Sequence, residues 1–293
     1  MQDYRRLLFF CFGIYLIALI LTNFANINYL LALNKSKENS LKNFNKFILQ
    51  NKQNEKIIVF GASVVLFGMS AEQINKELLI PSINISSFGT LTSLNNILEE
   101  EILPKLTEKD LLIFSDWRWR TNAPFELNPK ESFYETIQNN FEFLPNLDLI
   151  KNKILFLPVW FEKRTLNGDI FKEHYNSNLN NDPIKKISSG KIKDEYYDLA
   201  KNLLSDQLNV LKDTKAKVYM SFTPTLSETQ SIESYTSYRN KFISYFDSLN
   251  NNPNITFIND DFIFIDPEIF MDNRHLNYMG RKIWTKKIIE SIK

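Results

Sequence analysis

The chain has a single cysteine, Cys11, in 293 residues, which excludes an internal disulfide framework and any cysteine-rich zinc site. It has only two histidines, His174 and His275, too few for a multi-histidine metal centre, and no metal or other cofactor is expected. Seven glycines exclude collagen-like and glycine-linker architectures. An excess of one charge is missing too. Lys and Arg number 35 against 34 Asp and Glu, and the net +1 resides in Asp3, Arg5 and Arg6, so the remainder is neutral. A balanced domain has no electrostatic reason to seek nucleic acid. What is present is ordinary for a folded protein. With 44% hydrophobic and 24% charged residues, disorder is excluded as the main state, and one domain of roughly 200–250 residues is expected.

Charge is also absent from Leu7 to Asn34, and Leu7–Leu21 is apolar apart from Gly13. Extended through Phe24, this stretch has 18 residues, about 27 Å as a helix, against a hydrocarbon core of about 30 Å. It reads as a transmembrane anchor, which with its cytoplasmic tip takes up residues 1–34. Arg5 and Arg6 before it hold the N-terminus in the cytoplasm and place everything after it outside. A cleaved signal peptide is the rival reading. Asn23-Phe24-Ala25 is a poor cleavage pattern, which favours an uncleaved anchor. Cys11 falls inside it and reads as an apolar filler, with lipidation as the weaker alternative. Lys35–Ser40 forms a polar break. Leu41, Phe44, Phe47 and Ile48 then recur at helical spacing, so residues 35–54 read as a linker with a short amphipathic helix.

The main domain, 55–293, alternates strands and helices. Ile57–Phe60, ending at Gly61, has the shape of a buried central strand. Further strands are expected at Ser82–Ser86, Asp110–Phe114, Lys217–Phe222 and Ile255–Asn259. Helices are expected at Ala71–Leu79, Leu91–Leu106, Asp194–Asp213, Ser231–Leu249 and His275–Ile292. Such alternation implies an α/β fold with a parallel sheet covered on both faces, whose ligands sit at the carboxyl ends of the strands. The stretch from about 117 to 193 resists assignment and reads as an insertion that covers the site.

Three segments after strand ends carry chemistry. Gly61-Ala62-Ser63 puts a hydroxyl at a strand-to-helix turn, where backbone N–H groups can hold an oxyanion; the competing reading is Ser63 as a helix cap. Asp272-Asn273-Arg274-His275 supplies a base and a carboxylate to orient it, against a reading of Asp272 as cap and His275 as surface. His174 has no such partner and reads as surface. In Trp117-Arg118-Trp119-Arg120, the indoles suit sugar faces and the guanidiniums an anionic group, unless Trp117 and Trp119 simply plug the top of the domain.

Taken together, Gly61-Ala62-Ser63-Val64-Val65-Leu66-Phe67-Gly68 and Asp272-x-x-His275-Leu276-Asn277-x-x-Gly280 resemble the SGNH (GDSL-like) hydrolase superfamily over residues 55–293. The resemblance implies a three-layer, flavodoxin-like α/β/α fold, with Ser63 as nucleophile, His275 as base and Asp272 as its orienter. It also implies that Gly89, in Asn84-Ile85-Ser86-Ser87-Phe88-Gly89, joins Ser63 in the oxyanion hole. Two departures stand out. Ala62 replaces the usual Asp. The family's third block, Gly-x-Asn-Asp, is replaced by Ser115-Asp116-Trp117-Arg118-Trp119-Arg120, which removes an oxyanion donor that Arg118 would have to supply. This replacement looks like that of surface-polymer acyl-transfer proteins, the DltD-like and alginate-acetylation-like branches.

The function implied is a membrane-anchored, extracytoplasmic enzyme of a bacterial envelope that handles an ester on a cell-surface polysaccharide. Both de-esterification and O-acetyl transfer pass through an acyl-serine. Transfer beside a membrane O-acyltransferase is favoured by the anchor-plus-domain layout. The alternative is a non-catalytic glycan-binding or accessory subunit, suggested by the lost third block.

Overall fold

The computed structural model describes residues 2–86, 94–116, 164–169, 194–226, 232–258, 263–264, 267–271 and 275–293. Its centre is a parallel sheet whose strands are β1 (Ile57–Gly61), β2 (Ser82–Asn84), β3 (Leu111–Ser115), β4 (Lys217–Ser221) and β6 (Ile255–Ile258), in the order β2-β1-β3-β4-β6. This is the doubly wound order of flavodoxin-like sheets, and its switch point lies between β1 and β3. A separate two-stranded pair joins β5 (Thr225–Leu226) to β7 (Ile263–Phe264), which sequence patterning did not suggest.

Every residue of β1 and β3 is buried, which explains why both read as unbroken apolar runs instead of alternating ones. Successive side chains go to opposite layers. Ile58, Phe60, Leu112, Phe114, Val218 and Met220 meet one set of helices: α4 (Leu94–Ile97 and its continuation), α5 (Asp194–Leu211) and α6 (Ile232–Leu249). Ile57, Val59, Leu111 and Ile113 meet the other: α2 (Ser63–Gly68), α3 (Ala71–Leu78) and α7 (Tyr278–Ile292). The result is three layers, α/β/α. Under the sheet's amino ends, Lys56 and Asp110 form an ion pair of 2.8 Å with 2% and 0% of their side chains exposed. Asp110 also accepts from the N–H and hydroxyl of Thr107, so the buried carboxylate is fully engaged.

Four elements differ from expectation. The N-terminus is one continuous helix, α1 (Gln2–Gln50), with no break at Lys35–Ser40. That hexapeptide contains no Gly or Pro, and Ser40 Oγ donates to Ser36 O at 2.9 Å, so its polarity is absorbed within the helix. Phe44 is fully buried against the first layer, with Leu41, Phe47 and Ile48 beside it, as their spacing predicted. Among the described residues no helix is long and apolar enough to cross a membrane.

In α4 the winding widens to a π-helical turn over Leu98–Ile102 and then tightens to a 3-10 turn over Leu103–Lys105. Pro104 has no N–H to give the carbonyl four residues back, so regular α-winding cannot pass through it. The final helix begins at Tyr278, not His275, because Asn277 is the cap: its side chain accepts from Met279 N and Gly280 N. At the end of α3, Leu79 caps in the left-handed region (φ 59°, ψ 24°) while 85% exposed. A Cβ is strained there and little burial offsets it. Leu79→Gly is therefore expected to raise stability by up to about 1 kcal/mol, read from a urea midpoint, after allowing for glycine's added unfolded-state freedom.

Candidate active site

The site sits at the carboxyl end of β1, beside the switch point. A Cβ at Gly61 would collide with the side chain of Val65 and with Ser115 O, so only glycine lets the chain turn this sharply from strand into helix. Ala62 is the N-cap of α2, in extended conformation and without any side-chain cap bond. Its carbonyl takes the N–H groups of Val65 and Leu66, both at 3.0 Å. Ala62 is 3% exposed, so an Asp here would bury its carboxylate; the departure from the Gly-Asp-Ser pattern suits the packing. Ser63 is the first residue of the helix. The cap role weighed against its catalytic one falls to Ala62, and the Ser63 hydroxyl is used elsewhere.

That hydroxyl lies 3.0 Å from Nε2 of His275, a contact between residues 212 apart in the chain. His275 is held from both sides. Phe270 and Leu276 form an antiparallel bridge, Met271 N donates to His275 O at 2.8 Å, and Asn277 N donates to Ile269 O at 2.9 Å. Asn277 Nδ2 also donates to Glu268 O. A Cβ at Gly280 would strike Ile269 O, so the close approach of the α7 start to this turn requires glycine. The imidazole meets the ring of Phe67 edge-on, with centroids 5.3 Å apart, so α2 supplies both the hydroxyl and an apolar wall for the imidazole. With its proton on Nδ1, the ring presents Nε2 as an acceptor to Ser63 Oγ.

Of the other residues singled out in the sequence, Asp272, Gly89, Trp117, Arg118, Trp119, Arg120 and His174 lie outside the described residues. Asp272 is not the cap of the last helix, since Asn277 has that role. At the end of β3, Ser115 Oγ donates to Ser221 O at 2.5 Å, and buried Asp116 accepts from Gln207 Nε2 at 2.8 Å. Both tie β3 to its neighbours and belong to the core. Among the described residues no group of His, Cys, Asp and Glu is disposed to hold a metal.

Sequence reading missed the residues that align α2 and α7. Asp169 is fully buried, and its carboxylate accepts from Ser70 Oγ at 2.8 Å and from the N–H groups of Ala71 and Glu72 at 2.9 Å. It also pairs with Arg281 of α7 at 2.7 Å. Thr285 Oγ1 accepts from Ser70 N, and Asn84 Nδ2 donates to Met69 O, both at 2.9 Å. The junction after α2, and hence Ser63, is thereby fixed relative to the helix that follows His275. Trp284 seals the contact, packing where Gly68 leaves no room for a Cβ. The only sequence signal for Asp169 is the preceding Asn167-Gly168, a turn dipeptide; Gly168 has φ +76° and lies against the Asn84 backbone. No protein-family model matches the chain, and no curated protein matches it.

Proposed function

We propose that the protein is an SGNH-like serine acyl-transfer enzyme, with Ser63 as nucleophile and His275 as base. The hydrogen bond between Ser63 Oγ and His275 Nε2 carries this reading. A hydroxyl at the carboxyl end of a central strand, pointed at an imidazole fixed on a different element, is the pair that nucleophilic catalysis needs. Core packing does not require it. In the reaction Ser63 Oγ attacks an ester carbonyl carbon as its proton passes to Nε2. The tetrahedral intermediate then expels the alcohol, which takes that proton from Nε2, leaving acyl-Ser63. A water or a sugar hydroxyl next attacks the acyl group with Nε2 again accepting the proton, and Ser63 leaves with it.

Asp272 serves as the orienter of His275. Val65 and Leu66 spend their N–H groups on Ala62 O; the Ser63 N–H, on the same residue as the attacking oxygen, serves as an oxyanion donor. Gly89 N–H and Arg118 complete the hole, and Trp117, Trp119 and Arg120 bind the glycan. The substrate is an O-acyl, favoured O-acetyl, ester of a cell-envelope polysaccharide, handled beside a membrane O-acyltransferase.

The apolar N-terminal part of α1 is the anchor that keeps the domain on the outer side of the membrane. Support comes from Phe10, Phe12, Ile14, Ile17, Ile20 and Phe24, which point outward at 54–67% exposure. Thr22 and Asn23, both buried, return their side-chain donors to Ala18 O and Leu19 O within the helix. A fluorophosphonate tests the enzyme reading. Wild-type protein should be labelled and Ser63→Ala should not; an unlabelled wild type with a fully complementing Ser63→Ala strain would favour the accessory role instead.

A further inference from the structure

The direction in which α1 leaves the domain fixes which way the site faces. The last turns of α1 pack Phe44, Phe47 and Ile48 on the sheet, and residues 51–56 then lead directly to the amino end of β1. The helix therefore runs antiparallel to the strands. Its preceding turns reach the carboxyl end of the sheet, where Ser40 Oγ makes a longer contact of 3.5 Å with Ser86 O. Arg164 clamps the same place, donating to Ser86 O at 2.8 Å and to Ser36 Oγ at 3.3 Å. Ser86 follows β2, in which Asn84 pairs with Val59, so it stands level with Gly61, two residues before Ser63. Continued toward its N-terminus, α1 projects from the active-site edge of the sheet and not from the opposite one.

We infer that the Ser63–His275 site faces the bilayer that holds α1, and that its substrate is a glycan ester itself held in that membrane by a lipid, not a free soluble polymer. This rests on the anchor and enzyme readings given above. From Ser40, level with the site, to Phe24, the last residue of the apolar stretch, α1 rises through sixteen residues, or at most about 24 Å. No charged residue intervenes before Lys35 to push the helix away from the headgroups. The helix is continuous, so the height is set by a stiff rod, not by a flexible tether, and a lipid-linked sugar presents its hydroxyls within that distance. A polymer far from the membrane would have to enter the gap from the side.

Two measurements on the full chain in phosphatidylglycerol–phosphatidylethanolamine vesicles test this, with Cys11 replaced by Ser. The first reads orientation without catalysis. A fluorophore on Met279→Cys, at the site end of α7, should transfer energy to headgroup rhodamine more efficiently than one on Asn251→Cys, in the turn before β6. The reverse order in vesicle-bound protein overturns the inference alone. Failure to float with vesicles overturns the anchor and the inference with it. The second reads reach. Seven helix-forming residues inserted after Ala25 lift the site by about 10 Å and turn it by only about 20°. Labelling of Ser63 by a fluorophosphonate tethered to phosphatidylethanolamine should then slow by about tenfold or more as the effective concentration collapses, while labelling by a soluble fluorophosphonate is unchanged. Equal rates for the tethered probe before and after insertion overturn the inference. Absence of labelling by either probe removes the enzyme reading, while the energy-transfer order still decides the orientation.

Discussion

Replacing Ser63 by Ala, or His275 by Ala, is expected to lower ester turnover by about four orders of magnitude or more, with little change in stability. In the proposed reaction the two side chains act as one unit: without a base the hydroxyl is a poor nucleophile, and without the hydroxyl the base has nothing to activate. The double variant should therefore be scarcely worse than either single one. Stability should hold because both residues are only partly buried and neither belongs to the two apolar clusters. Steady-state kinetics on a chromogenic ester, paired with urea unfolding, checks both halves. Strictly additive losses, or a collapse in stability equal to the loss in rate, would show that the two residues do not form a catalytic pair.

The second large effect concerns a residue with no part in the chemistry. Asp169→Ala removes the carboxylate that caps α3 and breaks its 2.7 Å ion pair with Arg281, itself 4% exposed. Breaking a buried pair from one side costs about 3–5 kcal/mol, and loss of the cap adds about 1 kcal/mol. A urea midpoint should register most of that sum. Arg281→Met in the Asp169→Ala background should recover part of the loss, because it replaces one half of a broken buried ion pair by an apolar side chain of similar length. The single variant should also lower kcat for the ester, since Ser70 and Arg281 lie on the segments that follow Ser63 and His275 respectively. Full stability of Asp169→Ala would refute this account of how α2 and α7 are aligned.

The contrast between these residues shows what was legible in the sequence. Strands β1 and β3 could be read because burial on both faces makes them nearly continuous apolar runs, a local signal. Ser63 and His275 stood out through their positions after a strand and before a helix, although only the fold shows that their side chains meet. Asp169 carries no such signal: its partners are 98 residues upstream, at Ala71, and on α7, so its role exists only in the tertiary structure. The same holds for the caps. Asp272 precedes an apparently helical pattern, yet the chain makes a bridged turn through Leu276 before Asn277 starts the helix. Continuity of α1 is not legible from polarity, because a polar hexapeptide without Gly or Pro can remain helical.

Ser63 is proposed to carry the acyl group during turnover. This role is tested most directly by mass spectrometry of the peptide containing Ser63, after acid quenching of the protein during turnover of an acetyl ester. An acetyl adduct is expected on Ser63 in the wild type and none in Ser63→Ala. The role is contradicted if turnover proceeds with Ser63 unmodified and Ser63→Ala retains the wild-type rate.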